Sequence, residues 1–428
     1  MLTFIIFAIL FALMFFGVPV AVCMGLTAVF LLVAKGQGFV LPMVAQRMYA
    51  STTGFTLLAI PFFILAGNLM NTGGITRRLF RLASVIVGPV RGGLGHANII
   101  ASMIFSGMSG AAVADAAGLG QIEISAMDDA GYDRKFSAAI TAASSTIGPI
   151  IPPSIPFVIY GSLTGLSVGK LFLAGFTPGI AMGIGMMIAV YFVARHRNYP
   201  KEQAPTFQEV LISVKEAILP MMTPVIIIGG ILSGFFTPTE ASVVATLYAL
   251  VLGLFVYREY ALKDLPNILW EALEHTIRIM FIISASGFFG WFMIHQRVPE
   301  QVIRGLSALA SSDWSLLLII IVILTILGCF LEGITIFLIT VPVFMPLIQQ
   351  YGIDPLHFGV IITLCTMVAL LTPPVGMSLY AVVSISGVPM GSLSKEIWPY
   401  LAAVFAVILL VTFFPGFCLW LPNLLMGR

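Results

Sequence analysis

Apolar runs of about the length that crosses a bilayer, broken by short polar corners, set the layout of this chain. The first run covers residues 2–34, with Gly17-Val18-Pro19 inside it. Residues 40–53 are less apolar and suit an interfacial position. Residues 54–70 form a second span, followed by a basic segment with Arg77, Arg78, Arg81 and Arg91. Residues 96–127 carry too many Gly and Ser, and Asp115, for a simple crossing, so a re-entrant hairpin is expected. Residues 135–162 read as a broken helix, and 170–194 cross back to Arg195, Arg197 and Lys201. A polar arm at 199–215 joins this half to the next. There 218–236 and 240–257 cross, 265–275 lies at the interface and 276–294 crosses. A second hairpin is expected at 314–350, a second broken helix at 357–386 and a last span at 398–421.

The two broken helices carry the chemistry. Gly148-Pro149-Ile150-Ile151-Pro152-Pro153 interrupts an apolar, Ser/Thr-studded helix. A proline removes the amide that would bond the carbonyl four residues earlier, so Pro152 and Pro153 free the carbonyls of Gly148 and Pro149. In lipid such groups survive only where they line a cavity or bind something. Free carbonyls suit a cation, and a restarting helix offers its positive end to an anion. The break recurs 221 positions later as Pro373-Pro374, and at the same shift Gly107 falls on Gly328, Gly131 on Gly352 and Asp133 on Asp354. Matching interrupted segments in two halves point to a transporter's binding site.

Composition agrees. The 428 residues are 59% hydrophobic and only 9% charged, with a mean hydropathy of +1.08. That excludes a water-soluble fold and predicts an all-α polytopic protein in the lipid bilayer. A net charge of +2 without extensive basic patches gives no reason to expect nucleic acid as a partner. Cys23, Cys329, Cys365 and Cys418 sit in apolar runs without C-x-x-C spacing and read as small core residues. The apolar N-terminus lacks a basic lead-in and a cleavage site, so it reads as a retained span. With the Arg77–Arg91 side in the cytoplasm, 14 Lys and Arg fall inside, and 6 (residues 35, 47, 170, 297, 304 and 428) outside. This puts the hairpins on opposite faces and the N-terminus inside.

Several runs resemble the large membrane subunit of tripartite ATP-independent periplasmic (TRAP) transporters, across nearly the whole chain. They are residues 60–67 (IPFFILAG), 70–75 (MNTGGI), 106–110 (SGMSG) with 113–116 (VADA), 148–154 (GPIIPPS) and 236–241 (FTPTEA). The first-half signature is closest to sialic-acid-type members. The resemblance implies a sodium-driven, elevator-type secondary importer of a small organic acid, sialic acid or C4-dicarboxylate in type, in the bacterial inner membrane. It implies an inverted repeat of scaffold and transport elements: 1–95 and 218–313 as scaffold spans, 96–165 and 314–390 as hairpin plus broken helix, 166–217 as span and arm, and 391–428 as the last span. It also implies a small four-helix membrane subunit, here a separate or omitted chain, and a periplasmic binding protein that delivers the substrate. Carried onto this sequence, one Na+ site would use Ser106, Ser109, Gly148, Ile151 and Pro153. The other would use Gly328, Ala369, Thr372 and Val375. Ala369 and Val375 depart from the commoner family residues, which is harmless if only their carbonyls bind.

Each candidate has a plainer reading. Ser106 and Ser109 also let helices approach closely. Asp115 and Glu332, acidic groups at membrane depth, are candidates for ion or substrate handling or for hairpin caps. Ser109, Gly110, Asp115, Glu332 and Thr335 form the candidate substrate set, Thr335 for a carboxylate. Glu240 after Thr237-Pro238-Thr239 fits a helix cap. The histidines show no metal-binding spacing. Two other classes stay open. A passive channel explains broken helices. An intramembrane serine protease would use the Gly107-Met108-Ser109-Gly110 string, with His275 or His295 as base.

Overall fold

The computed structural model describes residues 2–201, 204–307, 309–310 and 312–427. Arg428, counted above, and positions 202–203 of the expected arm lie outside the described residues. Among the described residues six helices are long and apolar enough to cross a membrane, or up to eight if each of two bent pairs is one span.

The first apolar run is not a single crossing. It splits into α1 (Leu2–Phe15) and α2 (Val20–Ala34), which pack together. Gly17 takes a left-handed φ of +79° at the turn, and Pro19 starts the return. Thr3 Oγ1 donates to Gln301 Oε1 (2.5 Å) and Lys35 Nζ to Gln296 Oε1 (2.7 Å), so both open ends meet one corner. The N-terminus therefore shares a face with Lys35, against the expectation that it lies with Arg77–Arg91.

Next come α3 (Met43–Ala50), α4 (Ala59–Thr72) and α5 (Ile75–Val87). α5 buries Ile75, Leu79, Phe80 and Ala83 and leaves Arg77 exposed, a single apolar stripe with helical spacing. The first hairpin is α6 (Gly93–Ser109) and α7 (Ala112–Asp129); the first broken helix is α8 (Arg134–Ser145) and α9 (Ile155–Thr164). α10 (Val168–His196) crosses.

Two expected interfacial arms run on into spans as continuous helices. Of the first, residues 207–215 belong to α11 (Phe207–Leu232), opened by a Thr206–Glu209 capping box. Those before Thr276 belong to the 31-residue α13 (Leu265–His295). Their polar first turns disguised a continuous helix. Between them lies α12 (Pro238–Val251), where Glu240 does cap: its carboxylate accepts from Thr237 N (2.8 Å) and its own amide donates to Thr237 Oγ1 (3.3 Å).

After the short α14 (Val298–Ser307), α15 (Asp313–Gly328) and α16 (Gly333–Gln350) form the second hairpin, and α17 (Pro355–Leu370) and α18 (Met377–Ser386) the second broken helix. α19 (Met390–Glu396) turns 117° from α18. The expected last span is bent by 64° between α20 (Trp398–Phe413) and α21 (Gly416–Met426), at Pro415.

The shift of 221 reaches into the structure. α7 moved by it covers 333–350, the bounds of α16. Asp133 caps α8 by accepting from Lys135 N (2.9 Å), and Asp354 caps α17 by accepting from Leu356 N (2.7 Å). Gly131 and Gly352 before them both have positive φ, +83° and +68°. Pro152-Pro153 and Pro373-Pro374 are both cis. The halves interlock: α7 packs on α18, and α16 on α9. Tyr160 Oη, on α9, donates to the Pro355 carbonyl (2.6 Å).

Candidate functional site: two hairpin tips against two broken helices

The first hairpin tip turns at Gly110, φ +63°. A Cβ there would stand 2.5 Å from the Pro153 carbonyl oxygen. Gly148 faces the other side of the tip, where a Cβ would stand 3.8 Å from Ala111 C and Ala112 N. Gly110 thus lets tip and break touch through backbone. The whole break, 146–154, is buried.

Its polar groups are unevenly satisfied. Ser154 Oγ donates to the Pro149 carbonyl and accepts from Phe157 N (3.2 Å), capping α9. One of the two carbonyls expected to be free is therefore taken. Among the described residues no hydrogen bond reaches the carbonyls of Gly148, Ile151 or Pro153. Ser106 Oγ donates to the Ser102 carbonyl (2.5 Å), which leaves its lone pairs open. Ser109 Oγ is buried without a partner. Buried orphan oxygens are costly and call for a ligand. A hydroxyl and carbonyl set of this kind fits a hard monovalent cation such as sodium.

The second junction repeats the contact with other residues. A Cβ on Gly328 would meet Ala369 Cβ at 2.5 Å, and one on Gly333 would meet Thr366 Cβ at 3.3 Å. Val375 N donates to the Cys329 carbonyl (3.2 Å), tying break to tip. The Ala369 carbonyl, four residues before Pro373, accepts a long bond from Thr372 N (3.4 Å). Thr372 Oγ1 donates to Val368 O (2.7 Å). Pro373 and Pro374 are exposed here, so this junction is open where the first is closed.

The five candidates for the first cation set gather at one junction and the four for the second at the other. The candidate substrate set is divided between the two hairpin tips. Ser109 and Gly110 end α6, whereas half-buried Glu332 precedes α16 and Thr335, fully buried with an unpartnered Oγ1, lies in its first turn. Asp115 sits one turn into α7, beside Ser102 and only 1% exposed. The two breaks also meet across the halves, where Ser145 Oγ donates to Ser378 Oγ (3.5 Å). Sequence reading passed over Glu123, which is buried in α7 with neither carboxylate oxygen bonded. Its signal was its place on the buried stripe of α7, with Ala112, Asp115, Ala116, Leu119 and Gly120.

A protease needs a base at Ser109. His275 and His295 are both exposed, while Ser109 is buried, and no hydrogen bond links them.

A family model described as the tripartite ATP-independent periplasmic transporter, DctM component, matches residues 7–417. The chain belongs to this family. It is 44% identical over 416 residues to the sialic acid TRAP transporter large permease protein SiaM of Vibrio cholerae, covering 97% of each chain. It is 39% identical over 379 residues to the C4-dicarboxylate TRAP transporter large permease protein DctM of Pseudomonas aeruginosa, covering 89% of each. Among solved structures it shares the fold of the Alcanivorax borkumensis YdaH transporter, with TM-score 0.63 and 13% identity over 88% of each chain. The TRAP family is one of membrane permeases rather than enzymes, so the protease reading falls. The chain is a transporter subunit of the inner membrane.

Proposed function

We propose that this TRAP permease imports a small organic acid, of sialic acid or C4-dicarboxylate type, driven by sodium. It works with a small four-helix membrane subunit and a periplasmic binding protein that hands over the substrate. The reading is supported most by one observation. Each hairpin tip lies against the proline break of its own half, through Gly110 to Pro153 and through Val375 to Cys329.

In this reading the first junction holds a sodium ion with the carbonyls of Gly148, Ile151 and Pro153 and the hydroxyls of Ser106 and Ser109. The second uses Gly328, Ala369, Thr372 and Val375. An ion at either junction draws tip and break together and orders the tip. The substrate carboxylate then meets the N-terminal ends of the hairpin and restarted helices, near Gly110, Glu332 and Thr335. The inverted arrangement is supported by contacts at opposite ends of α20. Glu396, before its start, pairs with Arg197 (2.6 Å), beside the first hairpin's corner. Phe413, at its end, stacks on Trp314 at the start of the second hairpin (5.7 Å). The two hairpin–break units then move together as one elevator against the remaining spans.

Thermal stability titrated with sodium, against potassium and choline at equal ionic strength, tests this. A ligand that binds only the folded state raises stability as RT ln(1 + [L]/Kd). The expected result is a sodium-specific rise, lost when Ser106→Ala and Ser109→Ala are combined. Equal responses to all three cations would remove the sodium assignment.

A further inference from the structure

The buried face of α7 is interrupted where an apolar residue is the rule. Ala112, Asp115, Ala116, Leu119, Gly120, Glu123, Ile124 and Met127 make one helical stripe, and two of its members are carboxylates. Asp115 is 1% and Glu123 0% exposed, and none of their four oxygens has a hydrogen-bond partner.

Between them runs a buried polar chain shared by α6 and α8. Ser102 Oγ donates to Ser144 Oγ (3.1 Å), Ser144 Oγ to Asn98 Oδ1 (2.6 Å), and Asn98 Nδ2 to Thr141 Oγ1 (2.7 Å). Asp115 lies beside Ser102 at one end and Glu123 beside Thr141 at the other. The second half supplies an internal control. At the 221 shift Asp115 and Glu123 become Ile336 and Phe344, both buried. Asn98, Ser102, Thr141 and Ser144 become Ile319, Ile323, Ile362 and Cys365. The same hairpin and broken helix are thus built there without polar side chains at these positions. The fold does not require the polar chain; the first half carries it in addition.

We infer that Glu123 is a proton-binding site of the transporter. Its carboxyl holds the proton in this conformation, and Thr141, Asn98, Ser144 and Ser102 transmit its state toward the first junction.

A metal ion is a poor fit. Among the described residues no three His, Cys, Asp or Glu gather. A Cβ on Gly120, one turn from Glu123, would meet Thr141 Cγ2 at 2.7 Å and Ile385 Cδ1 at 2.9 Å, so the interface is closed. Nor, among the described residues, is there a cation to pair with. Helices α4, α5, α6, α8 and α18 pack on α7. Of their titratable groups, Arg78 and Arg81 pair with Glu259 and Glu216, and Arg134 with Asp128. Arg77, Lys135 and Tyr380 are exposed, and His96 is drawn to the Arg91 backbone. On α7 itself Asp128 lies at the polar corner and Asp129 is exposed, which leaves Asp115 as the other carboxyl on the buried stripe with Glu123. A carboxyl buried away from water and from every cation is cheaper to hold in its neutral form, in which it is a hydrogen-bond donor.

Infrared spectroscopy of the purified full chain at neutral pH and fixed sodium tests this directly. The wild type is expected to show the carbonyl stretch of a buried protonated carboxylic acid. Its Glu123 component is lost in Glu123→Gln, moved in Thr141→Val and kept in Asp115→Asn, which removes only a component from the equally buried Asp115. A spectrum with no band that Glu123→Gln removes would overturn the proposal. If Glu123→Gln does not fold, a band unmoved by Thr141→Val overturns it instead. In the reconstituted three-part system, uptake by Glu123→Gln should lose the wild-type dependence on pH, and an unchanged pH profile counts against the site. The proton site does not rest on the sodium reading, whose failure would appear separately in the cation-specific stability shift.

Discussion

At the scale of single residues, two glycines with similar backbone serve different ends. Gly110 and Gly131 both have positive φ, but only Gly110 would press a Cβ onto a neighbour, at 2.5 Å from Pro153 O; Gly131 has open space. Gly131→Ala should cost only the backbone strain, about 1–2 kcal/mol. Gly110→Ala adds a clash with fixed backbone and should cost more. Denaturant or thermal unfolding of the two variants side by side measures the difference, and equal losses would contradict the close contact of tip and break. Tyr160→Phe removes one hydroxyl that joins the halves through Pro355 and should lower stability by about 0.5–1.5 kcal/mol.

At the scale of elements, the proline breaks, the Gly-x-Asp corners and the Thr237–Glu240 cap were legible because each rests on local chemistry. Thr237→Ala should cost about 1 kcal/mol, read as a lower unfolding midpoint. What was illegible depended on neighbours. In the run 2–34 Gly17 and Pro19 marked an interruption, but a kink within one crossing and a turn between two helices read alike; the bonds of Thr3 and Lys35 to the 296–301 corner decide it. The polar first turns of α11 and α13 looked like separate arms, because polarity reports surroundings and not helix continuity. The junction candidates were found through the prolines. Glu123 was missed because a lone Glu in a helix reads as exposed until the helix's buried face is traced.

At the scale of the whole molecule, the question is which parts move together. Ser145 and Ser378 belong to the two broken helices, with Oγ atoms 3.5 Å apart. Gly107 of the first hairpin faces α11, where its Cβ would stand 2.9 Å from Pro224 Cβ. With the four native cysteines replaced, a disulfide from Ser145→Cys with Ser378→Cys joins parts of one unit and should leave uptake intact. One from Gly107→Cys with Pro224→Cys joins hairpin to scaffold and should stop uptake until reduced. Uptake before and after reductant separates the two, and the reverse pattern would rule out the proposed moving unit.

The packing of α7 on α18 also has a consequence for how the protein is made. α7 ends at Asp129 and α18 at Ser386, so 257 residues (386 − 129) must be added before the covering helix exists. At roughly 5–20 residues per second that takes about 13 to 51 s. Throughout that interval the nascent first half holds α7, with its two carboxylates, without the helix that finally packs on it. A ribosome-bound intermediate of this length needs shelter, from the insertion machinery or from water at the membrane surface. Synthesis of the second half is then the step that seals the first.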